Sequence, residues 1–148
     1  MRLQLRSTGT AACLVFLFAG PGAAAVQIIA NAETAPESMS AEDVESIFLG
    51  KRTLWGNGAK VLPAMPGEAD PAAKEFIESI LNKTMAQYQG YWKRRLFSGG
   101  GTEPRSFGTQ AAVVDFVGRN PGAIAVVSAP TVGDRRVKVV SISQPADR

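Results

Sequence analysis

Short runs of β-branched residues alternate along this chain with helical stretches, and the alternation restricts it to layered α/β architectures. Val26-Gln27-Ile28-Ile29-Ala30-Asn31 reads as a buried strand followed by polar loop residues. Ser40-Ala41-Glu42-Asp43 reads as a capping box with an acidic third residue. Val44, Ile47 and Phe48 follow at helical spacing, and Gly50 closes that helix. Lys51 to Gly58 is a loop containing the turn signal Gly56-Asn57-Gly58. Lys60 to Ala64 reads as a second strand, which Pro63 limits to an edge or an end. Asp70-Pro71 opens a helix as N-cap and first residue, with Ala73, Phe76, Ile77, Ile80 and Leu81 as its apolar stripe. Asn82 closes it, Thr84 caps the next, and Met85, Tyr88, Tyr91, Trp92 and Leu96 then recur at three and four. After the loop from Ser98 to Arg105, a helix is expected from Thr109 to Arg119, with Val113, Val114 and Val117 inward and Asp115 and Arg119 paired outside. Asn120-Pro121-Gly122 is a turn, Ala123 to Val127 a buried strand, and Arg136 to Ile142 the last strand. The tail from Gln144 to Arg148 is expected to be loose. The pattern predicts a mixed β-sheet flanked by helices.

The first residues have a different character. Arg2 and Arg6 precede the apolar run Ala11 to Ala19, Gly20-Pro21-Gly22 breaks it, and Ala23-Ala24-Ala25 supplies small residues. These are the parts of a cleavable secretory signal, with cleavage expected after Ala25. The run is too short to span a membrane, which takes about 20 apolar residues, so no membrane insertion is expected after cleavage. Cys13 lies near the start of the apolar core, whereas a lipidated cysteine follows such a core directly. The expected organisation is residues 1–25 as signal peptide and 26–148 as one domain, placed in the periplasm or otherwise exported.

Removal of that segment changes the composition. Sixteen Lys and Arg less Arg2 and Arg6 leaves fourteen, against thirteen Asp and Glu, a net charge of +1. That balance gives no case for nucleic acid. The remainder carries no cysteine, which excludes disulfides, thiol catalysis and thiolate metal sites. The chain has no histidine, the commonest metal ligand and general base. No nucleophile–base pair or metal-ligand cluster stands out, and no cofactor is implied. Hydrolysis by a Glu68 and Asp70 carboxylate pair is the only enzymatic reading, and their capping and loop positions account for both.

Three segments, in order, resemble one family: Ile47-Phe48-Leu49-Gly50-Lys51-Arg52 with Trp55 and Gly56, then Tyr88 to Trp92, then Pro121-Gly122-Ala123-Ile124-Ala125-Val126-Val127. The set resembles the phosphate-type solute-binding proteins of ABC transporters, and its small truncated members most closely. The resemblance covers most of residues 26 to 142. It implies one lobe of a type 2 periplasmic-binding-protein fold, where a full member has two lobes and about twice the length. The family's phosphate loop carries hydroxyls at a helix N-terminus, where backbone N–H groups hold the oxyanion. The matching stretch here is Gly67-Glu68-Ala69-Asp70, and its two carboxylates repel an anion.

The residues offer three candidate surfaces. Ser98, Gly99, Gly100, Gly101 and Thr102 form a loop able to point N–H groups at an oxyanion, with Arg105 as a bidentate contact and Thr109 as a further donor; the plainer reading is an inter-helix connection. Lys51, Arg52 and Trp55 form a loop placed to contact a partner, unless Trp55 covers the end of the sheet. Tyr88, Tyr91, Trp92, Lys93, Arg94 and Arg95 interleave aromatics with cations as a stacking surface does, but helical spacing puts Trp92 on the core side and the cations at the helix C-terminus. The expectation is a non-enzymatic periplasmic module like a solute-binding protein, linked to ABC transport, with recognition of a phosphate-like oxyanion weak or lost. The alternative is a protein-interaction or sensory domain of the cell envelope.

Overall fold

The computed structural model describes residues 25–128 and 134–143. Residues 1–24 of the proposed signal segment, Cys13 among them, and the tail from Gln144 lie outside the described residues. Among the described residues six strands form one mixed sheet in the order β2-β6-β1-β5-β3-β4. They are β1 (Val26–Asn31), β2 (Ser38–Ser40), β3 (Leu62–Pro66), β4 (Arg105–Phe107), β5 (Ala123–Ser128) and β6 (Val137–Ser143). β1 pairs antiparallel with β5 and β6, while β3 runs parallel to both β5 and β4. The helices are α1 (Ala41–Phe48), α2 (Pro71–Ser79), α3 (Met85–Phe97) and α4 (Gln110–Arg119).

The period-2 geometry of the central strands divides the core in two. Ile28 and Ala30 of β1, with Ile124 and Val126 of β5, pack under Val44, Phe48, Phe76 and Trp92 from α1, α2 and α3. On the opposite face Ile29, Ala123, Ala125 and Val127 meet Val113 and Val117 of α4. Burial on both faces explains why β5 reads as an unbroken apolar run rather than an alternating one.

Local chemistry sets the helix ends. Ser40 Oγ accepts the Asp43 amide at 3.0 Å, but the expected return bond from Asp43 is diverted: its carboxylate accepts from Arg52 Nη1 at 3.0 Å. A full capping box forms instead at α3, where Thr84 and Gln87 bond each other's amides at 3.2 and 2.9 Å. Gly50, at φ 68°, ends α1 as expected.

Some expectations shift. The second strand starts two residues later, at Leu62, and lies inside the sheet rather than on its edge. Pro63 is tolerated because pairing with β4 begins only at Ala64. Leu96, expected on the core stripe, is 49% exposed, in the last turn of α3 beside the exposed Phe97. β2 and β4 are three-residue strands too short to show periodicity. Arg105, read as the end of a loop, is the first residue of β4.

Candidate functional site

The two ends of the parallel strands offer two different sites. At the carboxyl ends, where open α/β sheets usually bind ligands, the starts of α2 and α4 meet. Asp70 caps α2, its Oδ1 accepting the Ala72 amide at 2.9 Å. Gln110, the first residue of α4, donates from Nε2 to both Asp70 carboxylate oxygens at 3.1 Å. The same amide group donates to Ser128 Oγ at 3.0 Å, and Gln110 Oε1 accepts the Ser128 amide at 2.9 Å. A negative carboxylate thus stands at a position that favours anions through helix dipoles and amide donors. Thr109 belongs to this end: its hydroxyl caps α4 by accepting the Ala112 amide at 3.2 Å. Glu68 is turned to another partner, accepting from Gln89 Nε2 at 2.7 Å, so the two carboxylates have separate roles.

At the amino ends of β3 and β4 lies a cavity of about 410 Å³. Among the described residues three cations line it, Arg52, Lys60 and Arg105, together with Thr102, Asn120 and one carboxylate, Glu103. Its apolar wall comes from Ile47, Val61, Pro63 and Phe116. The Arg105 guanidinium lies 5.6 Å from the Phe116 ring centre, a cation–π distance. Arg52 is held by Asp43, whereas among the described residues Lys60 and Arg105 have no carboxylate within ion-pair distance. The cavity unites residues that the sequence places in two separate loops, Arg52 in one and Gly101, Thr102 and Arg105 in the other. Lys60 was visible in the sequence only as a strand residue; nothing but its charge marked it.

The glycine loop is only partly available as an oxyanion cradle. Ser98 is the C-cap of α3, and Gly99 at φ 73° follows it in the left-handed region. The Gly99 amide donates to Leu96 O at 3.2 Å and the Gly100 amide to Arg95 O at 2.8 Å, the paired bonds of a Schellman closure. Those two donors are therefore satisfied by the helix end. Only Gly101 and Thr102 of this stretch reach the cavity, and Thr109 lies beyond the far end of β4. The expected set Ser98 to Thr109 is divided between the two ends of the sheet.

Trp55 is corrected from a partner contact to a core residue. It is 4% exposed, and its indole Nε1 donates to Gly122 O at 2.9 Å, clamping the turn into β5. Lys51 is exposed and 4.0 Å from Glu45. On α3, Tyr88 and Trp92 are buried, as their spacing predicts. Tyr91 Oη donates to Leu49 O at 2.6 Å and Arg95 Nη2 to Gly50 O at 2.9 Å, so this face holds the end of α1 rather than a ligand. Burial pushes the Tyr88 phenol well above its usual range, with Glu103 adding to the effect. Glu103 is itself raised, by desolvation first and then by Glu68. The exposed end of α3 carries Leu96 and Phe97, the latter 85% exposed.

An ABC-type phosphate transport receptor from Vibrio cholerae matches at TM-score 0.61 and 16% identity, over 84% of this chain and 47% of that one. PstS from Borrelia burgdorferi matches at TM-score 0.61 and 14% identity, over 80% of this chain and 47% of the other. A Clostridium perfringens structure described as a phosphate ABC transporter substrate-binding protein, solved with phosphate bound, matches at TM-score 0.61 and 15% identity, over 81% and 44%. The fold is that of the phosphate-binding proteins. The chain spans a little under half the length of each of these three structures. No protein-family model and no curated protein matches the sequence. Among the described residues no helix is long and apolar enough to cross a membrane.

Proposed function

We propose that this protein is a non-enzymatic, exported binding module of the solute-binding type, in which the helix-pole anion position is closed by its own Asp70. One observation carries the reading. The Asp70 carboxylate caps α2 and takes both bonds from Gln110 at the start of α4, so that pole already holds an anion. The fold likeness supports descent from a solute-binding ancestor linked to ABC transport. The first 25 residues act as a cleaved signal, and residues 26–148 form the working domain. Any oxyanion-bearing ligand is then taken elsewhere on the molecule, and no cofactor or catalytic group takes part.

Thermal melting with inorganic phosphate and sulfate tests the closed pole. A ligand at about 100 times its Kd adds roughly 2.7 kcal/mol of stability. The expected result is no melting shift that depends on the amides of α2 and α4. A millimolar phosphate effect that moves the Ala72 and Ala112 amide resonances would overturn the reading.

A second reading, docking to an envelope protein, is favoured by the adjoining exposed side chains of Leu96 and Phe97. Replacing Phe97 with Ser should abolish crosslinking to such a partner. Crosslinking unaffected by that change, or none from intact envelopes, counts against it.

A further inference from the structure

We propose that the cavity at the amino ends of β3 and β4 binds an organic anion, a phosphate or carboxylate head on an apolar body. This rests on the binding-module reading above and gives it a site and a ligand class. The cavity, at about 410 Å³, falls in the small-molecule range of roughly 300–1,000 Å³. Its charge is one-sided. Lys60 and Arg105 lack carboxylate partners among the described residues, and Arg52 adds donors while held by Asp43. Among the described residues Glu103 is the opposing group, a single carboxylate against three cations. Thr102 and Asn120 add side-chain hydrogen-bonding groups at the same opening.

The apolar wall selects among anions. A bare oxyanion would meet the cations and leave the half-buried side chains of Leu62, Pro63 and Phe116 wetted. An anion carrying a hydrocarbon or aromatic body would cover that wall and lose apolar area to it. Arg105 is positioned to serve both parts, since its guanidinium lies against Phe116 while its N–H fork is suited to a phosphate or carboxylate. The site is built from long-range pairing. Arg52 and Lys60 flank the loop around the Leu54–Lys60 bridge, and β4 brings Arg105 alongside β3.

The test compares phenyl phosphate, inorganic phosphate and phenol against the purified protein, by calorimetry and by amide resonance shifts. Phenyl phosphate should bind at least about tenfold more tightly than either of the others. Its largest shifts should fall on Thr102, Arg105 and Asn120. The double variant Lys60→Gln, Arg105→Gln should weaken binding at least about tenfold, while its unliganded melting temperature stays close to wild type because both side chains are exposed. Asp70→Asn should leave the affinity unchanged. Equal affinity for phenyl and inorganic phosphate overturns the ligand class. Absence of phenyl phosphate binding, or binding indifferent to the double variant, overturns the site while leaving the role of Asp70 intact. Binding that shifts Ala72 and follows Asp70 instead overturns the closed pole.

Discussion

Replacing Asp70 with Ala removes three interactions at once, and their sum can be worked from the structure. The N-cap bond to the Ala72 amide contributes about 1 kcal/mol. The two bonds from Gln110 Nε2 converge on a charged acceptor, and a charged hydrogen bond contributes about 1.5–3 kcal/mol when buried. Asp70 is only half-buried and Gln110 keeps its bond to Ser128, so about 1 kcal/mol of that is expected. The total is about 2 kcal/mol. For a domain of this size that lowers the melting temperature by roughly 8 °C, at about 4 °C per kcal/mol. Asp70→Asn keeps a capping oxygen and loses only the charge, so it should cost about half as much. Sulfate provides the decisive comparison. In Asp70→Ala the vacated pole offers amide donors to a dianion, so 10 mM-scale sulfate (about that order) should stabilise the variant more than wild type. An alanine variant that melts within a degree or two of wild type refutes the reasoning. So does a sulfate effect of equal size in both proteins.

Other perturbations test the scaffold and the cavity. Trp55→Phe removes the indole donor from Gly122 O, but that carbonyl still accepts from the Leu62 amide at 3.0 Å, so denaturant melts should show a loss of only about 1 kcal/mol. Gly122→Ala should cost more, about 2–4 kcal/mol: the backbone is at φ 88°, and the added methyl would collide with the Lys60 carbonyl oxygen. Glu103→Gln should tighten binding of phenyl phosphate several-fold, since a carboxylate about 8 Å from the anion at an effective dielectric near 40 repels it by about 1 kcal/mol. The same variant tests pH dependence. The native Glu103 carboxyl holds its proton to higher pH than the unfolded one, so stability falls as pH rises through the window just above the ordinary value of 4.5. Melting curves across that window should lose this downward slope in Glu103→Gln.

Much of the fold was readable because its signals are local. Ser40, Asp70, Thr84 and Thr109 each accept from an amide two or three residues on, so four helix starts are fixed by short sequence patterns. The two core faces likewise follow from strand and helix periods. What the sequence hid was non-local. Local sequence leaves Trp55 open between a partner contact and a cover for the end of the sheet, because its partner, Gly122, is 67 residues away. The three-residue strands β2 and β4 exist through pairing to β6 and β3 and carry no pattern of their own.

The same distinction explains why the glycine loop misled and the cavity stayed hidden. Gly99-Gly100-Gly101 invites a cradle reading, yet a glycine after a helix is most simply a left-handed cap, and the Leu96 and Arg95 carbonyls take the Gly99 and Gly100 amides first. The charge that matters instead comes from Arg52, Lys60 and Arg105, which no linear window contains. Their proximity depends on β3 and β4 running parallel, which puts both strand starts at one end of the sheet and Asp70 at the other. Because β3 is five residues long, the two sites are separated by roughly 15 Å or more along the strand direction. A carboxylate that far from the cationic cavity, beyond the Debye length of about 8 Å, neither blocks nor assists an anion there. Closing the helix pole and opening the cavity are therefore independent features, and mutation at one should leave the other's ligand response unchanged.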